Sequence, residues 1–272
     1  MSTDSADGRY APSPTGDLHL GNLRTALLAW LFARSQGARF LVRLEDLDAG
    51  RVRPGFAERQ LADLAALGLD WDGEVVVQSD RGGAYGAAIA GLRAAGLLYE
   101  CFCTRAEIRE AASAPDGPLP ESAYPGTCLH LTDDDRADRI AAGRLPALRL
   151  RAQAAEVAFE DRLLGDQRAV VDDFVVLRND GAVAYNLAVV VDDAAQGIGE
   201  VVRGADLAGP TARQIHLARL LGAQPPRFAH VPLVLGSDGA RLAKRHGGVT
   251  LREVGSAPAL AWMAESLGLP PA

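Results

Sequence analysis

The chain is almost without lysine: of 28 basic residues in 272, 27 are arginine and the only lysine is Lys244. Sulfur is scarce too, with three cysteines and two methionines. No long apolar run exists. The longest, Ala26 to Ala33, has eight residues, far short of the roughly 20 a membrane-spanning helix needs. The opening residues are acidic and carry no apolar stretch, so no secretory signal is visible and a soluble cytoplasmic protein, a monomer, is expected. Three cysteines cannot build a disulfide framework, and a Cys-x-Cys pair in such a protein reads better as a metal clip. Neither G-x-G-x-x-G nor G-x-x-x-x-G-K-[ST] occurs, which removes the usual dinucleotide and P-loop readings.

Positive charge is also lacking overall. The formal net charge of −7 argues against a charge-driven nucleic-acid binder. It hides a local reversal, because residues 203–252 carry eight basic groups against two acids. That stretch is either a docking face for a polyanion or a solvated arginine-rich surface.

What is present is an alternation of strand and helix patterns. A strand at 9–11 runs into the loop Pro12-Ser13-Pro14-Thr15-Gly16-Asp17. Leu23, Ala26, Leu27, Trp30 and Leu31 then follow helical spacing over 22–35. Strands at 40–44 and 75–77 alternate with helices near 55–67 and 84–95. The order predicts an α/β fold, a doubly wound parallel sheet covered on both faces. The alternation stops near Leu98. Residues 113–126 hold four prolines and two glycines and read as loop, and strands are expected at 147–151, 170–177 and 183–185. Strand–helix spacing resumes with 187–191, a helix from about 211 to 221 and a strand at 231–235. The expected organisation is a catalytic domain in two halves, 1–97 and 185–238. An inserted α+β subdomain fills 98–184, and a loop and helical segment, 239–272, ends the chain.

Two segments carry phosphate chemistry. The proline- and glycine-rich turn from Ala11 to Asn22 leaves a strand and opens a helix. His19 and Gly21 therefore stand at a helix N-terminus, where unsatisfied N–H groups and the helix dipole favour an anion. The second segment, Arg241-Leu-Ala-Lys-Arg-His-Gly-Gly248, follows the last strand. A loop bearing Lys244 and Arg245 could close over a polyphosphate and neutralise charge that builds up in a transition state. The one lysine thus falls where a compact ammonium suits phosphate better than a planar fork.

The three cysteines, Cys101, Cys103 and Cys128, fall in one window and suit tetrahedral zinc with a fourth ligand. Coordination chemistry alone points to His130, two residues after Cys128. Among the acids, Asp133 to Asp135 read as a turn or helix cap. Asp172-Asp173 and Asp192-Asp193 both end predicted strands, as active-site groups or as caps. Glu45 ends the strand at 40–44.

His19-Leu-Gly-Asn22 resembles the first signature of class I aminoacyl-tRNA synthetases, and Arg241 to Arg245 resembles the second. Arg241 stands where that second signature has its first lysine and Ala243 where it has serine, so only Lys244 keeps the full pattern. Arg9 to Ser13, Arg43-Leu-Glu-Asp-Leu-Asp48, Tyr185 to Asp192 and Val202-Arg-Gly-Ala-Asp206 resemble the glutamyl members. With 272 residues and no anticodon-binding domain expected, the chain is most similar to the short glutamyl-queuosine tRNA(Asp) synthetases. The resemblance implies a Rossmann-like catalytic domain that activates L-glutamate with ATP and Mg²⁺, and transfers it to queuosine-containing tRNA(Asp). It implies His19 and Lys244 as catalytic groups, with His19, Gly21 and Lys244 on ATP. Arg9 and Arg203 would hold the glutamate side-chain carboxylate, Glu45 its ammonium group, and Ser13 and Tyr185 would complete the pocket. It also implies Tyr124, through Tyr-x-x-x-Cys, as the fourth ligand of a structural Zn²⁺ beside Cys101, Cys103 and Cys128. Two other readings share these motifs: a truncated glutamyl-tRNA synthetase charging tRNA(Glu), and a non-catalytic tRNA-binding relative.

Overall fold

The computed structural model describes residues 6–104, 106–108, 123–234 and 249–269. Its first half is β1 (Gly8–Tyr10), α1 (Leu20–Ser35), β2 (Phe40–Leu44), α2 (Phe56–Ala66), β3 (Val76–Val77) and α3 (Gly82–Ala94). β1, β2 and β3 form a parallel sheet in that order. The helix α1 lies close over β1 because its sheet-facing positions, Leu23, Ala26, Ala29 and Ala33, are mostly small and fully buried. The approach is tight at Gly8, where a Cβ would stand 3.1 Å from that of Ala33. The larger residues Leu27 and Trp30 are only partly buried and pack on the flank of the same core.

After α3 come β4 (Leu98–Cys101), α4 (Asp133–Ala141) and β5 (Ala147–Leu150). They are followed by β6 (Glu156–Asp161), β7 (Gly165–Val170) and β8 (Phe174–Leu177). β4, β5 and β8 form a separate antiparallel sheet. The β6–β7 hairpin does not join it. β6 pairs in parallel with β10 (Arg227–Val231), which itself pairs with β9 (Glu200–Gly204). β9 lies beside β1, where Gly199 and Glu200 N–H groups donate to the Asp7 carbonyl at 2.9 and 3.2 Å. Across the molecule the strands therefore run β3-β2-β1, then β9-β10-β6-β7. The chain leaves β1 toward β2 and returns on its other side at β9. Ligand crevices of open α/β sheets form outside the carboxyl ends of strands at such a reversal.

The remaining helices are α5 (Tyr185–Gln196), α6 (Thr211–Leu220), α7 (Leu251–Val254) and α8 (Ser256–Ser266). The segment 187–191, expected as a strand, is the core of α5. Of its five consecutive apolar residues Leu187 to Val190 are buried and Val191 partly so, and a short continuous apolar run has no period that separates helix from strand. Similarly, residues 170–177 are the end of β7 and then β8, with Asp172 and Asp173 between them rather than at a strand end. Residues 183–185 supply a single bridge, from Val183 to Leu177, before α5 begins at Tyr185. Asp133, Asp134 and Asp135 form the first turn of α4, with a capping box between Thr132 and Asp135 as expected of a helix start. Among the described residues no helix is long and apolar enough to cross a membrane.

Candidate active site

Above the carboxyl ends of β1 and β9 lies a cavity of about 540 Å³. Arg9, Ser13, His19 and Gly21 reach it from β1 and the turn into α1. Glu45 enters from the end of β2, Tyr185 from the start of α5 and Arg203 from β9. Seven residues expected from separate motifs thus share one space. Lys244, Arg241 and Arg245 lie outside the described residues. The residues flanking their segment are anchored beside the first signature: Val234 lines the cavity, and the Leu20 N–H donates to the Val249 carbonyl at 2.9 Å.

His19 is the N-cap of α1. Its extended backbone (φ −82°, ψ 163°) lets Nδ1 accept from the Asn22 N–H at 3.2 Å. A neutral ring accepting at Nδ1 carries its proton on Nε2. The helix end is less open than the sequence suggests, because the Leu20 and Asn22 N–H groups both have protein acceptors. Gly21 has a different importance from close approach by a ligand. A Cβ there would meet His19 Cε1 and Nδ1 at 3.1 Å, so the missing side chain makes room for the imidazole. Gln60, which belongs to no motif, donates to the carbonyls of Ser13 and Gly16 at 3.0 and 2.7 Å and fixes the proline-rich turn.

The buried charges in and beneath the cavity divide into two groups. Arg43 is completely buried and donates to Asp193 at 2.7 Å, Gln196 at 2.7 Å and Glu45 at 3.3 Å, with Asp192 at 3.7 Å. Burial pushes its pKa down, but Asp193 and Glu45 outweigh that and raise it. Asp193 also accepts from Arg9 Nε at 3.3 Å. Burial favours its neutral form, yet Arg9 and Arg43 prevail and hold its carboxyl below the ordinary range. Glu45 is pushed the other way: burial raises its pKa despite Arg43 and Arg9. The Asp192-Asp193 pair is therefore neither a strand end nor a cap. It sits on α5, with Asp193 turned to these arginines and Asp192 accepting from Gln78, Arg81 and Tyr85.

Arg203 differs from Arg43. It is 4% exposed, and all its partners are neutral: His230 Nε2 at 3.0 Å, Gln214 Oε1 at 2.8 Å, Thr211 Oγ1 at 2.8 Å and the Tyr185 hydroxyl at 3.5 Å. Among the described residues no carboxylate comes within ion-pair distance of it. Burial lowers its pKa, as expected for a cation held without a close counter-ion. Four of its five N–H donors are engaged on the protein, and one remains at a side chain that lines the cavity.

A second cluster lies at the end of β4. The Sγ atoms of Cys101, Cys103 and Cys128 lie within 4.8 Å of one another. The Tyr124 hydroxyl is 3.4 Å from Cys101 Sγ and 3.7 Å from Cys103 Sγ. Thiolates about 2.3 Å from a tetrahedral zinc stand roughly 3.8 Å apart, a spacing close to that of this donor set. His130 is exposed and outside the cluster. Burial, with the neighbouring Cys128 thiol, pushes Cys103 up to about 12. Burial acts the same way on Cys101, but a hydrogen bond from Arg149 and one from Tyr124 lower it. Arg149 also lies over the Tyr124 ring, 3.6 Å from its centroid. Asp172 and Asp173 tie this cluster down. Asp172 accepts from the Tyr124 N–H and from Arg213, and Asp173 from the Tyr99 hydroxyl and the Ala152 N–H.

Comparison with known proteins agrees with this geometry. Residues 6–257 match the family described as tRNA synthetases class I (E and Q), catalytic domain. The glutamyl-Q tRNA(Asp) synthetase of Nocardia farcinica is 64% identical over 269 residues, which is 97% of this chain and 85% of that protein. The glutamyl-Q tRNA(Asp) synthetase of Symbiobacterium thermophilum is 53% identical over 266 residues, covering 92% of this chain and 82% of the other. Among solved structures, a glutamate tRNA ligase from Elizabethkingia meningosepticum, crystallised with its amino acid, superposes with a TM-score of 0.80 at 25% identity. That match covers 96% of this chain, which spans 60% of the ligase. A parallel sheet that reverses at β1, the first signature segment at that reversal, and identity this high over nearly all residues have one explanation. The chain belongs to the class I glutamyl-type tRNA synthetases, in the family of the glutamyl-Q tRNA(Asp) synthetases.

Proposed function

We propose that the protein is a ligase that activates L-glutamate with ATP and transfers it to the queuosine cyclopentene-diol at the wobble position of tRNA(Asp). In the first step the glutamate α-carboxylate attacks the α-phosphorus of ATP, giving glutamyl-adenylate and pyrophosphate. That carboxylate is ionised at neutral pH, so catalysis reduces to positioning and to charge stabilisation at the phosphates. His19, donating from Nε2, and Lys244 supply that stabilisation, with Mg²⁺ accompanying ATP. Gly21 keeps the His19 ring in place. In the second step a queuosine hydroxyl attacks the adenylate carbonyl and AMP leaves.

The observation that carries the reading is Arg203, a buried cation whose protein partners are all neutral, lining a cavity with Arg9 and Glu45. An anion is the missing partner. Glutamate supplies its side-chain carboxylate to Arg203 and Arg9, and its ammonium group to Glu45. Ser13 and Tyr185 close the pocket. Glutamine would leave these buried donors incompletely paired and is rejected.

The cysteine cluster holds a structural Zn²⁺ through Cys101, Cys103, Cys128 and Tyr124, in the sheet made by β4, β5 and β8. When bound, the ion cross-links a segment whose own apolar cluster is small. The hydroxyl of Tyr124 faces two of the thiols, which favours it over His130.

The test is ATP–pyrophosphate exchange with glutamate and no tRNA, followed by transfer of labelled glutamate to tRNA(Asp) with or without queuosine. Exchange without tRNA, and transfer to the modified tRNA alone, are expected. Transfer to tRNA(Glu) would overturn the choice of acceptor, and absence of exchange would overturn the enzyme reading. Lys244→Ala should lower adenylate formation roughly 10²–10³-fold, as for loss of one oxyanion-type donor.

A further inference from the structure

Behind Arg203 lies a fully buried pair outside the cavity. His230, on β10, is 1% exposed, and Asp161, at the end of β6, is 1% exposed. His230 Nδ1 stands 2.5 Å from Asp161 Oδ2, while His230 Nε2 is 3.0 Å from Arg203 Nε. An arginine Nε–H can only donate, so Nε2 must be the acceptor and the ring proton must sit on Nδ1, directed at Asp161. The carboxylate is fixed in turn by the N–H groups of Leu163 and Leu164 at 3.0 and 2.9 Å. One tautomer is therefore imposed from outside.

We infer that His230 is a positioning residue for glutamate recognition: held by Asp161 as the neutral Nδ1–H tautomer, it offers Arg203 a hydrogen-bond acceptor that carries no charge. This rests on the reading of Arg203 as the cation for the substrate carboxylate. A carboxylate at position 230 would satisfy Nε equally well, but it would neutralise the guanidinium and weaken its attraction for the substrate. An apolar residue would leave Nε unsatisfied and let the guanidinium plane rotate. The imidazole avoids both. Asp161 stays one ring-width away, with its charge spread over backbone donors. Gln214 and Thr211 repeat the device, accepting from Nη1 and Nη2 through a neutral amide and a neutral hydroxyl. All the acceptors that aim Arg203 are thus uncharged, although they come from three different elements, β10, α6 and α5.

The test compares His230→Leu with His230→Gln in ATP–pyrophosphate exchange, with glutamate and ATP varied separately. Leucine removes the acceptor. Glutamine restores a neutral carbonyl oxygen at about the reach of Nε2. For His230→Leu the KM for glutamate should rise about 10–100-fold, the cost of leaving a charged donor poorly satisfied, with KM for ATP and kcat within about threefold of wild type. His230→Gln should recover most of the glutamate KM. In the wild-type protein, ¹⁵N spectra of the imidazole should show the Nδ1–H form. Equal losses in both variants, a fall in kcat and in both affinities together, or an Nε2–H ring would overturn the proposal. Arg203→Ala separates the layers. If it too leaves glutamate KM unchanged, the reading of Arg203 fails; if it raises that KM while His230→Leu does not, only the role of His230 fails.

Discussion

Gly21→Ala is the change in which stability and activity should part most clearly. Gly21 lies in the first turn of α1 and has no left-handed backbone to defend, so alanine fits the conformation. On helix propensity the substitution stabilises by up to about 1 kcal/mol. The new Cβ would stand 3.1 Å from His19 Cε1 and Nδ1 and 3.6 Å from Val234 Cβ. The ring must therefore give way by a few tenths of an ångström. It then weakens its cap on the Asn22 N–H, a loss of about 0.5–2 kcal/mol if complete. The two effects nearly cancel, and Tm should move by no more than about 4 °C. Catalysis has no such compensation, because a shift of the ring also moves Nε2, the nitrogen that donates to the phosphates in the proposed reaction. ATP–pyrophosphate exchange should fall at least about tenfold, bounded by the 10²–10³-fold expected for His19→Ala. Thermal unfolding and exchange measured on the same preparation decide it. An alanine variant with ordinary stability and full exchange would refute the claim that the glycine exists to seat the imidazole.

Arg203→Ala should raise the KM for glutamate by about 10²-fold or more, since it removes one partner of a buried ion pair, and should narrow the preference for glutamate over glutamine. A variant that still discriminates as wild type does would remove Arg203 from recognition. Glu45 gives a pH signature. Burial raises its pKa above the ordinary 4.5, so as pH falls the carboxylate is protonated, and its pairing with the substrate ammonium lost, before a surface glutamate would be. The glutamate KM should climb on that acid limb in the wild type, while Glu45→Gln starts high and shows no further rise; parallel profiles would count against the assignment. For the cysteine cluster, metal analysis should find about one zinc per chain, lost in Cys103→Ser and weakened in Tyr124→Phe, but retained in His130→Ala. Loss of zinc in the His130 variant alone would reverse the choice of fourth ligand.

Of the residues that meet the cavity, those with chemistry local in sequence were legible directly, and Arg9, Ser13, Tyr185 and Arg203 only through the family resemblance. His19 and Gly21 belong to one turn, and Glu45 ends one strand. Their supports were not, since each acts across a large separation. Asp161 reaches His230 from 69 residues away, and Asp193 reaches Arg43 from 150. The helix α5 was misread for a related reason: five consecutive apolar residues, 187–191, hide the period that marks a helix. On α1 the residues that set the helical period mark the buried face only in part: Leu23 and Ala26 are fully buried, whereas Leu31 is exposed. Alanines reach the sheet because they allow the helix to come close, while Trp30 stays at the edge and donates to Asp70. The β6–β7 hairpin carries the strongest lesson. Nothing in residues 156–170 announces that they add to the catalytic sheet, yet that pairing is what brings Asp161 to His230.

Arg43 and Arg203 together show how a buried charge can be assigned to the fold or to a ligand. Both guanidiniums are almost wholly removed from water, a state that costs several kcal/mol per ion unless something answers the charge. Arg43 is answered within the protein by Asp192, Asp193 and Glu45, and its pKa rises despite burial. It can tie α5 to β2 in the absence of any substrate. Arg203 is held in place just as firmly but only by neutral acceptors, and its pKa falls. Three good hydrogen bonds fix its direction and leave its charge outstanding. A cation that is rigid, dry and unpaired is a poor stabiliser of the fold and a strong attractant for a carboxylate. Replacing His230 with an acid would answer that charge, but it would also bury a second carboxylate against Asp161, so stability and glutamate binding should fall together.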